Sequence, residues 1–305
     1  MGYIISTVNM KGGVGKTTLT VNLATCLAKN FNKKVLVLDL DSQISATLSL
    51  LAPQEFSKLR KKRKTLAYLI DNIIQPNPYA KLTIEDIITD SICGLANLSL
   101  LPGDIELYDE FLVSEMMHQK SVNSDNTDNF DEVWNNFERV LVEQIVRPIA
   151  PNYDFIIMDC APGYNLLTKS AIASSDFYLL PARPEPLSLV GIQLLERRVR
   201  NLKKVHAKIN PLNLDLLGIV FILSEGGLFG RYDRYYSQVK RRVERDFSSE
   251  KMFPTDIPMD VNVAKSLDMF MPVVMSAPNC LASKAFNKLT EEFLQKIAHC
   301  KTNNG

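Results

Sequence analysis

Five stretches of the chain are almost continuously apolar: residues 2–8, then "KKVLVLDLD", "YDFIIMDCAPG", "DFYLLPARPE" and "LDLLGIVFILSE". The last four run into acidic residues. Short apolar runs of this kind read as strands buried on both faces, as in a parallel sheet. Between them the apolar spacing lengthens to the helical period. Leu19, Leu23, Ala24 and Leu27 share one side of a helix predicted over Thr17–Lys29. Further helices are predicted over Leu166–Ser174 and Leu189–Val205, and a docking helix carries Phe286, Leu289, Phe293 and Ile297. Strand–helix alternation predicts an α/β fold, a doubly wound and mostly parallel sheet with helices on both faces.

Two stretches interrupt this alternation as helical insertions, at about 51–89 and 104–148. The first contains the basic run "KLRKKRK" and an amphipathic helix, "TLAYLIDNII". The second contains the polar piece "SVNSDNTDN" and a helix from Trp134 to Val146. No repeat and no Gly-, Ser- or Pro-rich linker divides the chain. The expectation is one domain over 1–300, with a frayed tail at 301–305.

Composition narrows the classes. The 305 residues are 46% hydrophobic and 23% charged, ordinary for a globular domain able to bury its own core. A net charge of +1 leaves any anionic partner to a local patch. The five cysteines, Cys26, Cys93, Cys160, Cys280 and Cys300, form no C-x-x-C pair, which argues against a disulfide framework or zinc site. No apolar run is long enough to span a bilayer. His118, His206 and His299 are far apart and are read as surface or boundary residues.

Candidate chemistry begins at "VNMKGGVGKTTLTVNLA", Val8 to Ala24. It approaches the phosphate-loop pattern G-x-x-x-x-G-K-[ST], with Met10 where the first glycine belongs. Gly12, Gly13 and Gly15 let backbone N–H groups converge on an anion at the N-terminus of a helix. Lys16 is placed to reach β- and γ-phosphates, the Thr17 hydroxyl to ligate Mg²⁺, and Thr18 to meet an α-phosphate. Asp39, Asp41 and Asp159 end apolar strands. Any one of them alone could be a local cap, but two strand-end acid motifs behind a phosphate loop point to a metal–nucleotide site.

"KGGVGKT" resembles the deviant Walker A motif of the ParA/MinD family of P-loop ATPases, in which a lysine precedes the glycine pair. Lys11 is that lysine here. "VLVLDLDSQISATL" is similar to the family's second motif, with Ser42 in place of its usual proline. "YDFIIMDCAPG" is similar to its Walker B and switch region, and "DIPMDVNVAKSLDMFMPVV" to its adenine loop. The resemblance implies ATP and Mg²⁺ as cofactors. Lys11, Gly12, Gly13, Val14, Gly15, Lys16, Thr17, Thr18, Pro258, Met259 and Asp260 would bind nucleotide. Thr17, Asp39 and Asp159 would serve the metal. Lys11, Lys16 and Asp41 would be catalytic, with Lys11 acting across an ATP-sandwiched homodimer and Asp41 orienting the attacking water.

The resemblance further implies slow ATP hydrolysis, ATP-dependent hold on nonspecific double-stranded DNA, and a ParB-type adaptor that stimulates turnover to move a plasmid or chromosome. The expected location is the cytoplasm of a prokaryote, on the nucleoid. Nonspecific DNA binding needs a cationic face. Candidates are Arg231, Arg234, Lys240, Arg241, Arg242 and Arg245, with "ERRVRNLKK" beside them in sequence. A relative's arginine after the "IP" of the adenine loop is replaced here by Asn262, with Lys265 nearby. "KLRKKRK" could meet DNA, a partner or solvent. Alternatives are a positioner of a protein cargo such as a carboxysome or chemoreceptor cluster, a MinD-like membrane ATPase, and a metabolic P-loop ligase or reductase. Glu291 and Glu292 make the last helix look like a docking helix, so no membrane partner is expected. The first strand starts at residue 2 or 3, so no preceding helix-turn-helix is expected.

Overall fold

The computed structural model describes residues 2–79, 82–123, 130–207, 210–222 and 231–303. Six parallel strands form one sheet in the order β3-β2-β4-β1-β5-β6. They are β1 (Tyr3–Thr7), β2 (Val35–Leu40), β3 (Leu98–Leu101), β4 (Phe155–Cys160), β5 (Phe177–Ala182) and β6 (Asp215–Phe221). The doubly wound α/β prediction holds. β3 is a strand the sequence reading missed: "LSLL" is only four residues long and carries no acidic end.

Side chains alternate across the sheet, and both faces are covered. Val35, Val37, Ile5 and Ile157 face one core with Leu19, Leu23 and Leu27 of the helix Lys16–Phe31 and Phe286 and Phe293 of the helix Leu281–Asn303. Leu36, Leu38, Ile4 and Ile156 face the other. This second core also takes most of the apolar side chains of the two insertions. Leu66, Ile70 and Ile74 come from the first, Val113, Met117, Phe137, Leu141 and Ile145 from the second. The insertions therefore thicken one face of the sheet.

Boundaries differ from the sequence reading in three places. The helix expected over Trp134–Val146 is two helices, Phe130–Val140 and Glu143–Ile149, because the chain turns at Leu141 and Val142. The last helix continues to Asn303, into the stretch read as a frayed tail. His206 is not a boundary residue: it is 5% exposed at the end of the helix Pro186–His206.

Parallel strands send all their carboxyl ends to one edge, where open α/β sheets place ligands. The phosphate loop after β1, the acids of β2 and β4 and the turn after β5 all meet there. A parallel bridge between Ile222 and Ile257 adds the segment leading to Pro258 to the same edge.

Candidate active site

The phosphate loop is a tight left-handed turn. Gly13 has φ 70° and Gly15 φ 88°, a region that L side chains rarely adopt. Gly15 is the N-cap of the helix Lys16–Phe31 and has no side-chain cap, so the first turn keeps its N–H groups for another acceptor. A Cβ on Gly15 would lie 2.5 Å from Cδ1 of Ile222.

Lys16 is 7% exposed and donates from Nζ to the Lys11 carbonyl at 3.3 Å. Burial lowers its pKa, against the opposing pull of Asp159. A buried ammonium held by one long bond to a carbonyl is under-satisfied, and an anion in the loop would complete it. The Thr17 hydroxyl donates to Asp159 Oδ2 at 2.6 Å, and the Thr20 hydroxyl to Oδ1 at 3.1 Å. Thr17, predicted as a metal ligand, and Asp159, predicted as the acid behind it, are thus in direct contact.

Asp39 and Asp159 are paired in register across β2 and β4, and both are fully buried. Burial raises the pKa of each, and the Asp39 charge raises that of Asp159 further. Asp39 accepts from the Thr47 amide at 2.7 Å and the Asp41 amide at 3.2 Å. Two desolvated carboxylates at the foot of a phosphate loop suit a divalent cation. Among the described residues no group of three His, Cys, Asp or Glu side chains could hold a metal alone. Oxygen donors from Thr17, Asp39 and Asp159 are of the kind that suits Mg²⁺, which binds few protein ligands beside phosphate oxygens. Asp41 is 8% exposed and accepts from the Gln43 amide at 3.0 Å, next to Asp39.

Lys11 is fixed at three points. Its amide donates to Asn9 Oδ1 at 2.9 Å, its carbonyl takes the bond from Lys16, and its Nζ donates to Glu185 Oε2 at 2.9 Å. Asn9 in turn donates to the Pro181 carbonyl at 2.7 Å, tying the loop to the end of β5. Sequence reasoning missed Glu185. The signal was "LPARPEPLSLVGIQLL", a stretch similar to the family's segment after this strand, which does not by itself single out the glutamate.

Of the segment expected to wrap the base, Met259 is 55% exposed. Asp260 has a structural role: Oδ1 accepts from the Asn262 amide at 2.9 Å and side chain at 2.7 Å, and Oδ2 from the Ala282 amide at 3.2 Å. These bonds hold its pKa at about 2, and they cap the helix Val261–Asp268. Asp260 shapes the loop through these bonds.

The predicted cationic face divides. Arg241, Arg242 and Arg245 are exposed on the helix Arg231–Phe247. Lys240 is turned inward: it pairs with Asp256 and lies 5.3 Å from the Phe221 ring centroid. Among the described DNA-binding candidates it is the one whose cation is engaged on the inner side of this helix. Arg231 and Arg234 have side chains outside the described residues. In "KLRKKRK", Arg60 pairs with Asp104 at 3.0 Å and Glu106 at 3.1 Å, and Arg63 lies over the Tyr68 ring at 5.1 Å.

The chain matches the AAA domain family model (AAA_31) over residues 2–212. It is 28% identical over 295 residues to the sporulation initiation inhibitor protein Soj of Bacillus subtilis, spanning 96% of this chain and 98% of Soj. It is 26% identical over 293 residues to the chromosome partitioning protein ParA of Caulobacter vibrioides, spanning 96% and 94%. Among solved structures, apo McdA of Cyanothece matches with a TM-score of 0.70 at 19% identity, over 96% of this chain and 99% of that one. McdA in complex with ATP matches at 0.69 and 18%, over 97% and 96%. That likeness is one of fold.

Proposed function

The chain belongs to the AAA_31 (AAA domain) family and is a P-loop ATPase of ParA/MinD type, and from that premise we propose that it is a positioning ATPase working on DNA. In this reading it hydrolyses ATP, forms an ATP-dependent homodimer, holds nonspecific DNA, and moves a plasmid or chromosome through a ParB-type adaptor. The observation that carries the reading is the meeting of Lys16, Thr17, Asp39 and Asp159 at one sheet edge.

Bound Mg²⁺–ATP supplies the phosphoryl group and the charge that these residues are arranged to meet. Lys16 neutralises phosphate charge from within a site shielded from water. Thr17, Asp159 and Asp39 are the residues that would hold Mg²⁺, which would supply charge neutralisation at the phosphates; Thr17 already bonds Asp159. Asp41, rooted in the turn after β2, orients the attacking water. Lys11 serves the nucleotide of a second copy, as the deviant lysine does in the resemblance. Exposed Leu187, Val190 and Leu194 follow Glu185 at i, i+3 and i+7 on the helix Pro186–His206. They give a second copy an apolar strip beside Lys11.

For DNA, the exposed Arg241, Arg242 and Arg245 are joined by Arg197, Arg198, Arg200 and Lys204 on the packed helix Pro186–His206. Gln193 Nε2 donates to Asp246 Oδ2 at 2.9 Å between the two helices. Several cations on neighbouring helices can each neutralise a phosphate. The membrane alternative loses support from the helix Leu281–Asn303: Phe286, Leu289, Phe293 and Ile297 are buried against the sheet, so its apolar face is taken. Among the described residues no helix is long and apolar enough to cross a membrane.

The test is co-sedimentation with a long nonspecific duplex, with and without ATP, across a salt series. ATP-dependent binding that weakens steeply with salt is the expected result. Absence of binding at low salt, with the ATP dimer present, overturns the DNA role. Lys11→Ala is expected to abolish hydrolysis, and Asp41→Ala to trap the ATP dimer. Normal hydrolysis by Lys11→Ala would sink the trans-lysine role.

A further inference from the structure

We infer that Glu185 is a positioning residue that holds Lys11 within its own subunit until ATP is bound. The inference rests on the sandwich-dimer reading of Lys11. Glu185 is the N-cap residue of the helix Pro186–His206, with Pro186 in the first turn, yet its side chain makes no capping bond. A glutamate is a poor cap. Its carboxylate is used elsewhere: Oε2 accepts from Lys11 Nζ at 2.9 Å, and Oε1 lies 3.8 Å from Arg183 Nη1. The backbone fixes that placement, since the Glu185 amide donates to the Arg183 carbonyl at 2.8 Å and the Ser188 amide to the Glu185 carbonyl at 2.9 Å.

Two bonds on one residue therefore report on nucleotide. The Lys11 carbonyl holds Lys16, and the Lys11 ammonium is held by Glu185. Phosphate in the loop draws Lys16 away from the carbonyl and removes one hold on residue 11, whose amide stays on Asn9 Oδ1. The ammonium can then reach outward only if it also leaves Glu185. Both side chains of the pair are partly solvated, Lys11 at 41% and Glu185 at 29%. The hold is thus weak enough to be reversed by an incoming phosphate. Arg183 competes for the same carboxylate and loosens it. Glu185 sets how readily the dimer forms, and its own contact is with Lys11.

A surface pair of this kind shifts an equilibrium by about 1.5- to 5-fold, and two pairs break per dimer, so the combined shift is about 2- to 25-fold. The experiment compares wild type, Glu185→Gln and Arg183→Gln by sedimentation velocity over a protein concentration series with Mg²⁺ and ATPγS. Without nucleotide, acetylation of Lys11 by N-hydroxysuccinimide acetate is followed by mass spectrometry. Glu185→Gln is expected to dimerise at about 2- to 25-fold lower concentration and to acetylate faster at Lys11. Arg183→Gln, which leaves the carboxylate to Lys11 alone, is expected to shift both readouts the other way. A general structural defect would not give opposite signs. Wild type that dimerises while Glu185→Gln is unshifted or weaker overturns the role of Glu185 alone. Wild type that stays monomeric overturns the sandwich reading, and this role with it.

Discussion

Asp39 and Asp159 lie side by side in register on β2 and β4, but their oxygens are engaged by different elements. Asp39 is bound by the Thr47 and Asp41 amides, Asp159 by the Thr17 and Thr20 hydroxyls. The first acid is thereby fixed to the turn after its own strand and to the short helix Ser45–Leu50 that follows. The second is fixed to the phosphate-loop helix, through hydroxyls that can rotate away. A cation arriving between the loop and the strands finds one rigid carboxylate and one that can be released.

The pair makes stability depend on pH. Burial raises both pKa values above that of an exposed aspartate, about 3.9. The protonated pair favours the fold at acid pH, and that contribution is lost as pH rises through the raised values. In chelator and without nucleotide, the melting midpoint is expected to fall as pH is raised from about 5 to about 8. Asp159→Asn is expected to flatten this dependence, because it removes the acid whose pKa is raised both by burial and by its neighbour. The same substitution is expected to lower Mg²⁺-dependent hydrolysis by about 10- to 100-fold, the usual effect of losing an outer-shell metal partner.

Gly13 and Gly15 are expected to respond differently to substitution. A Cβ on Gly13 meets nothing within 4 Å, and φ 70° is accessible to asparagine. Gly13→Asn should therefore leave the melting midpoint within a degree or two, while its side chain occupies the space over the loop and weakens ATP binding. Gly15→Ala adds left-handed strain of about 1–2 kcal/mol and a clash with Ile222. The clash is with the end of a flexible side chain, so the backbone term dominates. Ile222→Ala is thus expected to rescue Gly15→Ala only in part. Calorimetry with and without ATP separates these outcomes.

The cationic face gives a prediction that divides neighbours on one helix. Arg241, Arg242 and Arg245 changed together to alanine should reduce the salt slope of DNA binding by about 0.9 for each phosphate no longer neutralised. Lys240→Ala should leave that slope unchanged and lower the melting midpoint, since Lys240 is spent on Asp256 and Phe221. Equal slopes for the triple variant and wild type would remove these arginines from the DNA surface.

The basic run of the first insertion is anchored by Asp104. That carboxylate is 4% exposed and accepts from Arg60, the Thr65 hydroxyl and the Glu106 amide at 3.0, 2.8 and 3.1 Å. Asp104→Ala leaves the Thr65 hydroxyl short of a partner and Arg60 with Glu106 alone, at a cost of about 1–2 kcal/mol. Trypsin should then cut within residues 58–64 several-fold faster, as read by the first fragment to appear.

The strands, the phosphate loop and the acids behind it were legible because each is a local pattern: an apolar run, a glycine spacing, a carboxylate at a strand end. What the sequence hid depends on partners far away in the chain. β3 is a strand because β2 stands beside it, and four residues alone carry no strong period. Glu185 lies 174 residues from the lysine it holds. Asp260 was marked by its motif for nucleotide, and the motif gave no sign that its oxygens also accept from Asn262 and Ala282. Lys240 and Arg241 are indistinguishable in a charge count, and only the rotation of the helix against β6 separates them. The turn at Leu141 and Val142 was invisible because both residues are apolar and fit the helical period on either side.

The helix that opens the phosphate loop is covered by the helix Leu281–Asn303 and the segment before it. Cys26 and Asn30 both bond to Asn287, and the Val274 amide donates to Asn22. The first of these bonds spans 261 residues. During synthesis the glycine loop emerges early, yet the helix behind it has no outer wall until nearly the whole described chain has left the ribosome. Closing so long a loop is slow compared with forming local turns. A nascent chain should therefore pass through a long interval in which the loop exists and cannot grip ATP. Competence to bind would come late and all at once, with the arrival of residues 273–303.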